Sequence, residues 1–585
     1  MQKGNLSIHA ENLLPIIKKW LYSDKDIFIR ELVANGCDAV SKYAAISGDS
    51  TDNMRVKVTV DKEKRTITFS DDGIGMTKDE IDRYINNVAF SGAQEFIDKL
   101  KATGAEAENI IGHFGLGFYS AFMVSDKVII NSLSYQEGAK SAMWVSDGGL
   151  EFEMGEGTRA QRGTDVILHV SEDAEEYLEE SKVRQVMRQY LNFMPVSIYV
   201  GEDETPINDT KPLYLKAPGD ITDDEYKEFY KKTFGTWEDP LFWVHLNIDF
   251  PFNMKGILYF PRIRQDYSIN DGCVKLYCRQ VFVAENIKEI IPDYLLLLKG
   301  VIDSPDIPLN VSRSFLQSDK QVKALSGHIS RKAADKLTSL FKTDREQFEK
   351  VWDDISLFVK FGCMRDDKFY DRVKSCLIFK TNESTTLTIE EAKEKAKETQ
   401  NSLYYVGMDN KDAPIADMYT AKGITLALLD SPIDANFISF LEMKETELKF
   451  KRVDSDVADA FKAEENDEST KEVLEKIMRE AVEDDKLTVN VAKLEGIDVP
   501  AILTFDEQMR RFKENSRMWG NEFDMPIPAT ITLNIASSII DKLISLPDEE
   551  KSEFAKHIYD LAELQQGSLP QSRMAEFIRR SYKFM

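Results

Sequence analysis

Four short motifs follow one another in a fixed order within the first 170 residues, and they constrain the fold of this chain more than any other feature. The first is FIRELVAN (28–35), in a segment whose apolar residues recur at helical spacing. Glu31, Asn35 and Asp38 stand at positions i, i+4 and i+7, so they share one face of a predicted helix over 28–43. A polar stripe of this kind is more often a solvated surface than a binding site, so this motif alone predicts little.

The second motif is DDGIGMT (71–77), which follows a predicted β-hairpin over 56–70. Its acid, Asp71, stands at the end of a strand, and the glycines after it, including Gly75 next to Met76, let the backbone approach a ligand closely. Turns contain similar patterns by chance. The motif is therefore weak evidence when it is taken by itself.

The third motif is the glycine-rich segment GHFGLGFYSAFMV (112–124), in which Gly112, Gly115 and Gly117 precede a predicted apolar helix. Free N–H groups at the start of a helix attract phosphate. The spacing matches neither a P-loop nor a GxGxxG fingerprint, which disfavours the commonest phosphate-binding folds. The fourth motif, GTDVIL (163–168), places Thr164 at the start of a strand.

Composition limits the classes of function that the chain can have. Its formal charge of -26 at pH 7 would repel a phosphate backbone, so nucleic acid is not expected as a partner. Its five cysteines show no CxxC spacing, which predicts neither a disulfide framework nor a zinc site. The N-terminus does not resemble a signal peptide and no stretch is apolar enough to cross a membrane, so a cytoplasmic location is expected.

A chain of 585 residues is too long for a single hydrophobic core, and mixed helical and strand periods predict a multidomain α/β protein. We predict four regions: an N-terminal domain (1–205), an acidic linker (206–238), a middle domain (239–485) with a helix over 318–350, and a C-terminal domain (495–585). The C-terminal domain is predicted to be small and mostly helical. Its apolar helix stripes fit internal packing and a twofold dimer interface equally well.

The order of the four motifs resembles the nucleotide site shared by gyrase, heat-shock protein 90, histidine kinase and MutL. The sequences of FIRELVAN (28–35) and GHFGLGFYSAFMV (112–124) are similar to the corresponding motifs of heat-shock protein 90. GVIDSPDIPLNVSR (300–313) is similar to the middle-domain signature of the same family. The resemblance covers essentially the whole chain and is closest to the bacterial branch of the family.

The resemblance implies an ATP-driven molecular chaperone that hydrolyses ATP with magnesium, remodels client proteins in a clamp cycle, and forms a homodimer through its C-terminal domain. Glu31 would be the general base, Asn35 would coordinate magnesium, and Asp71, supported by Thr164, would accept a hydrogen bond from the adenine amine. Arg313 would reach the γ-phosphate with support from Gln317; outside the family motif, Arg313 would simply be a solvent-facing arginine. The resemblance assigns nucleotide contacts also to Asp38, Gly75, Met76, Tyr84, Phe90, Gly112, Gly115, Gly117 and Phe118.

The segment 90–111 would be a lid over bound ATP, with Gly92 and Gly104 as hinges. Here the sequence departs from the family pattern. AFSGA (89–93) lacks the usual lysine because Phe90 occupies its position, Tyr84 stands where an asparagine is usual, and His113 replaces a glutamine. Loss of a cationic partner for phosphate predicts weaker lid closure or slower turnover.

Two other functions compete with this interpretation. A mismatch-repair or topoisomerase subunit would use the same nucleotide site to clamp DNA, which the negative charge and the middle-domain wording oppose. A scaffold that binds ATP without hydrolysis would tolerate Phe90 and Tyr84, although the presence of Glu31, Asn35, Asp71 and Arg313 opposes it. A further segment, with Phe505, Met509 and Phe512, suits either a core or a surface for unfolded clients.

Overall fold

The computed structural model describes most of the chain. The described residues are 24–87, 117–149, 151–250, 253–262, 272–286, 290–307, 320–407, 413–455, 457, 461–463, 468–484, 487–494, 498–518, 528–566 and 569–584. The chain divides into two compact units, 1–332 and 333–585, and each is described by itself.

The first part of the unit 1–332 is built on a mixed sheet of seven strands. Its helices and strands are α1 (Ile27–Ser47), β1 (Arg55–Asp61), β2 (Thr66–Asp71), α2 (Lys78–Tyr84), β3 (Ser125–Leu133), β4 (Ala142–Ser146), β5 (Glu153–Glu156), β6 (Gly163–Val170), α3 (Glu180–Tyr190) and β7 (Ser197–Val200). The strand order is β5-β4-β3-β6-β2-β1-β7. Neighbouring strands are antiparallel except β1 and β7, which are parallel.

Helix α1 packs against β1, β2 and the segment Gly117–Met123. Phe28 on this helix makes edge-on ring contacts with Phe69 of β2, at 6.1 Å, and with Tyr177, at 5.0 Å. Nearly every residue in the first half of the helix is buried as a result, including polar ones. The predicted helix over 28–43 and the predicted hairpin over 56–70 are confirmed, and α1 continues one turn further than expected.

The segment Gly117–Met123, predicted as part of an apolar α-helix, forms 3₁₀ turns instead. Ser120 donates its hydroxyl to the Gly117 carbonyl at 2.6 Å. A side chain that occupies a backbone carbonyl in this way competes with the α-helical hydrogen-bond ladder. The chain then enters β3 directly at Ser125, which the apolar spacing could not indicate.

A five-stranded sheet forms the second part of the same unit. Its elements are α4 (Asp223–Phe234), β8 (Phe242–Ile248), β9 (Met254–Phe260), β10 (Cys273–Cys278), β11 (Val281–Glu285) and β12 (Lys299–Asp303), with strand order β11-β10-β12-β9-β8. Tyr214, Tyr226 and Phe229 are buried in the core of this sheet. They belong to 206–238, the expected linker, so part of that segment packs as core; the domain boundaries themselves stay predictions.

The unit 333–585 begins within a long helix and contains a second five-stranded sheet. Its elements are α5 (Lys320–Thr343), α6 (Arg345–Arg365), α7 (Asp367–Val373), β13 (Ile378–Thr381), β14 (Thr386–Thr388), α8 (Ile389–Ala396), β15 (Ser402–Gly407), α9 (Pro414–Ala421), β16 (Leu426–Leu429), α10 (Asp434–Lys444) and β17 (Lys449–Arg452). The strand order is β14-β13-β16-β15-β17. The helical structure predicted for 318–350 is confirmed over its described part, where Asp344 separates α5 from α6 and accepts a capping hydrogen bond from the Gln347 N–H at 2.9 Å.

The C-terminal part of this unit combines a small sheet with several helices. Its elements are β18 (Lys462–Ala463), α11 (Glu468–Val482), β19 (Thr488–Leu494), β20 (Ala501–Phe505), α12 (Glu507–Met518), β21 (Ala529–Asn534), α13 (Ser538–Ser545), α14 (Asp548–Gln565) and α15 (Gln571–Phe584). The strand order is β18-β19-β21-β20. Leu474 and Met478 of α11 share a core with Phe554 and Ile558 of α14. Helix α11 therefore packs with elements that follow the boundary expected at 485.

Among the helices that the structure describes, none is both long and apolar enough to span a bilayer. All five cysteines lie in described segments and are free thiols, three of them buried. The multidomain α/β architecture predicted from the sequence is confirmed.

Candidate functional site

The three polar residues on one face of α1 differ in burial. Glu31 and Asp38 are buried, whereas Asn35, which lies between them on the same face, is exposed. The helix therefore holds a carboxylate in the interior and presents an amide to solvent one turn further on. An amide oxygen is a ligand type that magnesium accepts, so Asn35 fits the role of a single protein ligand to a nucleotide-bound ion.

The carboxylate of Glu31 is held by its sequence neighbour. Arg30 donates from Nε and Nη2 to Glu31 Oε1, at 3.1 and 2.9 Å, and both side chains are buried. The other oxygen, Oε2, lies against the backbone of Gly117, because a Cβ built on that glycine would lie 2.6 Å from it. The third sequence motif therefore approaches the first through a position that only glycine fills without displacing the carboxylate.

Asp71 ends β2 and is buried. Its Oδ1 accepts a hydrogen bond from the Gly73 N–H at 2.8 Å. Burial raises the pKa of Asp71 to about 7, although the Gly73 hydrogen bond and the positive charge of Arg159 oppose this rise. A buried carboxyl group in a loop with two glycines can accept a hydrogen bond from an amine-bearing ring that approaches the loop.

The loop after Asp71 is tied to the strands beside it. Thr164 of β6 pairs in register with Asp71, and its hydroxyl lies 2.8 Å from the hydroxyl of Ser132 on β3. The Met76 N–H donates to the same Ser132 hydroxyl at 2.8 Å. Gly75 has φ +63°, and a Cβ on it would lie 1.9 Å from the Leu133 carbonyl oxygen, so this position requires glycine.

Aromatic side chains border the site on the side of the 3₁₀ segment. Phe118 makes edge-on ring contacts with Phe122, at 6.3 Å, and with Trp144, at 5.8 Å. Tyr119 donates its hydroxyl to the Ile85 carbonyl, and burial raises its pKa to about 12. Tyr84 ends α2 and is partly buried, with the Arg83 guanidinium 5.7 Å from its ring centre.

Several predicted site residues lie outside the described residues. They are Phe90, Gly112, Gly115, Arg313 and Gln317. The expected lid (90–111), its hinges Gly92 and Gly104, and His113 lie there too. Among the described residues, Glu31 lies against Gly117 and Asp71 pairs with Thr164, so all four motifs lie in one domain. The roles of all the predicted site residues stay predictions.

Sequence reasoning missed four residues that shape the site: Arg30, Ser132, Arg159 and Arg162. Adjacent residues do not face each other along a helix, so no helical spacing in the sequence indicates the contact of Arg30 with Glu31. Ser132 meets Thr164 only because β3 and β6 pair in that register. Arg162 directly precedes the Gly-Thr pair of the fourth motif, and that adjacency was the one available sign.

Two residues of the segment that suits either a core or a client-binding surface differ in exposure. Phe512 on α12 is 55% exposed, and Phe505 is partly buried. On α13, Ile540 and Leu543 are buried, whereas Ile539 and Ile544 are 38% and 40% exposed. In the described part of the chain, no three or more His, Cys, Asp or Glu side chains are grouped so that they could hold a metal ion.

The mixed sheet with α1 packed on it, and the acid and glycine motifs at the ends of its central strands, define an ATP-binding domain. The family described as histidine kinase-, DNA gyrase B-, and HSP90-like ATPase matches residues 24–151, which contain the described site. The family described as Hsp90 protein matches residues 200–585. The chain therefore belongs to the heat-shock protein 90 family.

Curated relatives agree with this assignment along nearly the whole chain. Chaperone protein htpG of Bacteroides fragilis is 42% identical over 587 residues, which cover 94% of this chain and 85% of the relative. Chaperone protein HtpG of Porphyromonas gingivalis is 40% identical over 580 residues, covering 93% and 84%. Chaperone protein HtpG of Idiomarina loihiensis is 31% identical over 633 residues, covering 100% and 99%.

These matches confirm the principal expectations from the sequence. The chain is an ATP-dependent molecular chaperone, and its N-terminal domain is an ATPase of the gyrase, heat-shock protein 90, histidine kinase and MutL type. The resemblance to heat-shock protein 90 rather than to a DNA clamp is confirmed as well.

Proposed function

We propose that this chaperone binds ATP with magnesium at the site on α1 and the loop 71–76, hydrolyses it with Glu31 as general base, and couples hydrolysis to a clamp cycle around non-native client proteins. It acts in the cytoplasm, a location that cell fractionation would test. It forms a homodimer, which analytical ultracentrifugation would test. The observation that carries the proposal is the buried Glu31 carboxylate lying against Gly117, with the exposed Asn35 one turn away.

In this proposal each group has a distinct task. Glu31 is fixed by Arg30, so its carboxylate is oriented before a water molecule arrives, as a general base requires. The buried Asp71 accepts from the adenine amine, with Thr164 and Ser132 holding the loop. Asn35 would hold the magnesium ion, which supplies positive charge to the phosphates when it is bound. Arg313 and Gln317 complete the proposed catalytic set from the middle domain.

The first experiment tests the magnesium ligand, by titration of ATP into wild type and Asn35→Ala with magnesium and with excess chelator. Wild type should bind ATP more tightly with magnesium, and Asn35→Ala should lose about tenfold of that gain because one oxygen ligand is missing. Without magnesium the two proteins should bind alike. Asn53→Ala, at an exposed asparagine outside the four motifs, is the matched control and should behave as wild type. A magnesium gain that survives in Asn35→Ala would assign the ion to other residues.

The proposed homodimer rests on the exposed apolar residues of α13, Ile539 and Ile544, beside buried Ile540 and Leu543. The buried pair packs in the C-terminal core, which leaves the exposed pair available to a second copy. A twofold interface uses each residue twice, so the effect of a substitution is doubled.

The double variant Ile539→Glu, Ile544→Glu should weaken dimerisation by on the order of 10²-fold or more, because burying an isoleucine contributes roughly 1.5–3 kcal/mol and a buried glutamate opposes it. Analytical ultracentrifugation over a concentration series measures the change. Val473→Glu replaces another exposed apolar residue, on α11, and should leave the dimer intact. An unchanged dimer in the α13 variant would place the interface elsewhere.

A further inference from the structure

Two arginines donate hydrogen bonds to backbone carbonyl groups of the loop 71–76. Arg159 donates from Nη2 to the Asp71 carbonyl at 2.6 Å. Arg162 donates from Nη1 to the Asp72 carbonyl and, at 3.0 Å, to the Gly73 carbonyl. Three consecutive carbonyl groups are therefore satisfied by guanidinium groups from a single segment. A guanidinium presents several donors in a rigid fork, so it can fix a loop more tightly than one amine could.

Each arginine is itself held in place. Arg159 pairs through Nη1 with Asp165 on β6, and its Nε donates to the Gln161 carbonyl at 3.0 Å. The Arg162 guanidinium carbon lies 3.4 Å from the ring centre of Tyr43 on α1. Such stacking is favourable for a guanidinium over an aromatic face. The two side chains therefore connect the start of β6 to the loop and to the helix that carries Glu31.

The second role of Arg159 is electrostatic. Among the described residues, the charged or titratable groups near the Asp71 carboxyl include Arg159, Asp72, Asp165 and Cys37. Burial and the two carboxylates raise the pKa of Asp71, and the positive charge of Arg159 lowers it. Burial raises the pKa of the Cys37 thiol well above its usual range, so this group adds no charge near neutral pH.

We propose that Arg159 and Arg162 are positioning residues for nucleotide recognition: both hold the loop 71–76 in its binding conformation through hydrogen bonds to its carbonyl groups, and Arg159 also places its positive charge beside Asp71. This inference rests on the proposed role of Asp71 as acceptor for the adenine amine. A charged acceptor makes a stronger hydrogen bond than a neutral one. Substitutions at the two arginines should therefore differ in their dependence on pH.

The test is calorimetric titration of ADP into the full chain between pH 6 and pH 9, with each variant compared with wild type at the same pH. The phosphates of ADP titrate in this range too, but identically for every variant, so their contribution cancels in the ratio. Arg159→Gln should weaken ADP binding. The ratio of its dissociation constant to that of wild type should grow about fivefold or more as the pH falls from 9 to 6. A rise of one unit in the pKa of Asp71 gives up to a tenfold change in the fraction ionised.

Three further variants separate the two roles. Arg159→Lys keeps the charge but not the fork, so its ratio to wild type should not vary with pH. Arg162→Gln should weaken ADP binding by about tenfold at every pH, because it loses hydrogen bonds to the loop without removing the cation beside Asp71. Asp165→Asn removes a carboxylate near Asp71 but also the partner that holds Arg159. Looser hold on Arg159 should weaken ADP binding by the same factor at every pH, whereas loss of the negative charge should make binding improve relative to wild type as the pH falls. Partial unfolding does not produce this trend with pH.

Three outcomes would overturn the inference. A pH-independent ratio for Arg159→Gln, or a ratio for Asp165→Asn that rises towards low pH, removes the electrostatic role; unchanged binding by Arg162→Gln removes the positioning role. Asp71→Asn distinguishes these from failure of the proposed adenine contact. If Asp71→Asn binds ADP as tightly as wild type, the role of Asp71 is wrong. If it loses binding while the arginine variants do not, only the present inference fails.

Discussion

Replacing Glu31 with alanine should lower steady-state ATP hydrolysis by on the order of 10² to 10⁴, the contribution typical of a general base. Binding of ATP should change by a few-fold at most, because Glu31 is proposed to act on water rather than on the nucleotide. The structure is consistent with this separation, since Asp71, the proposed adenine acceptor, belongs to β2, whereas Glu31 belongs to α1.

A second substitution is needed because Glu31 also has a structural partner. Glu31→Ala removes the carboxylate to which the buried Arg30 donates, and losing an acceptor beside a buried charge costs stability as well as activity. Glu31→Gln keeps an oxygen for Arg30 but cannot take a proton from water. Both variants should therefore lose hydrolysis, and Glu31→Gln should keep the thermal stability of wild type more closely.

Phosphate release measured beside ATP affinity decides this prediction. Glu63→Ala, at an exposed glutamate in the turn between β1 and β2, serves as the matched control and should hydrolyse ATP like wild type. Hydrolysis by Glu31→Gln within a few-fold of wild type would assign the base to another residue. Suppression of aggregation of a denatured client, with ATP and with ADP, should differ between the nucleotides for wild type but not for Glu31→Gln. A wild type that binds ATP yet does not hydrolyse it would instead support the switch or scaffold interpretation, with Phe90 and Tyr84 as its explanation.

Sequence patterns predicted those parts of the fold that depend on local spacing. The alternation of Val56, Val58 and Val60 predicted β1, and its hairpin partner β2 delivers Asp71 to the edge of the sheet as expected. The helical pattern over 318–350 was also predicted, but its division into two helices was not. The pattern continues across the cap at Asp344, although an aspartate three residues before Gln347 is a helix-start signal.

The sequence predicted which residues belong to the candidate site only where those residues lie in the motifs. Glu31, Asp71 and Thr164 were singled out by the order of the motifs along the chain. The burial of Glu31 was not predictable, because it follows from packing on two sides of α1. Arg159 reaches the Asp71 carbonyl across 88 positions of sequence, through the antiparallel register of β2 and β6. No periodicity within one element encodes such a contact, so it becomes visible only when the strands are paired.

The second large effect is expected in the C-terminal part of the chain, where Asp560 on α14 is 0% exposed. Arg573 donates to its Oδ1 at 2.8 Å, and the buried Arg580 pairs with its Oδ2. Both arginines belong to α15, so this carboxylate joins the two last helices of the chain. Asp560→Ala should destabilise their packing by about 3–5 kcal/mol, because it leaves Arg580 as a buried charge without its carboxylate.

Hydrogen exchange of the α14 and α15 amides in the full chain measures this effect locally, which matters because a multidomain chain does not unfold in one step. Amides of α1 provide the internal reference and should not change. Glu553→Ala, which breaks the exposed pair with Lys583 between the same two helices, is the matched control and should cost about 1 kcal/mol or less. Asp560→Asn keeps the shape and an acceptor, so its effect should lie between the two. Equal exchange in Asp560→Ala and Glu553→Ala would show that packing of Phe554, Ile558 and their neighbours, rather than the buried ion cluster, holds these helices together.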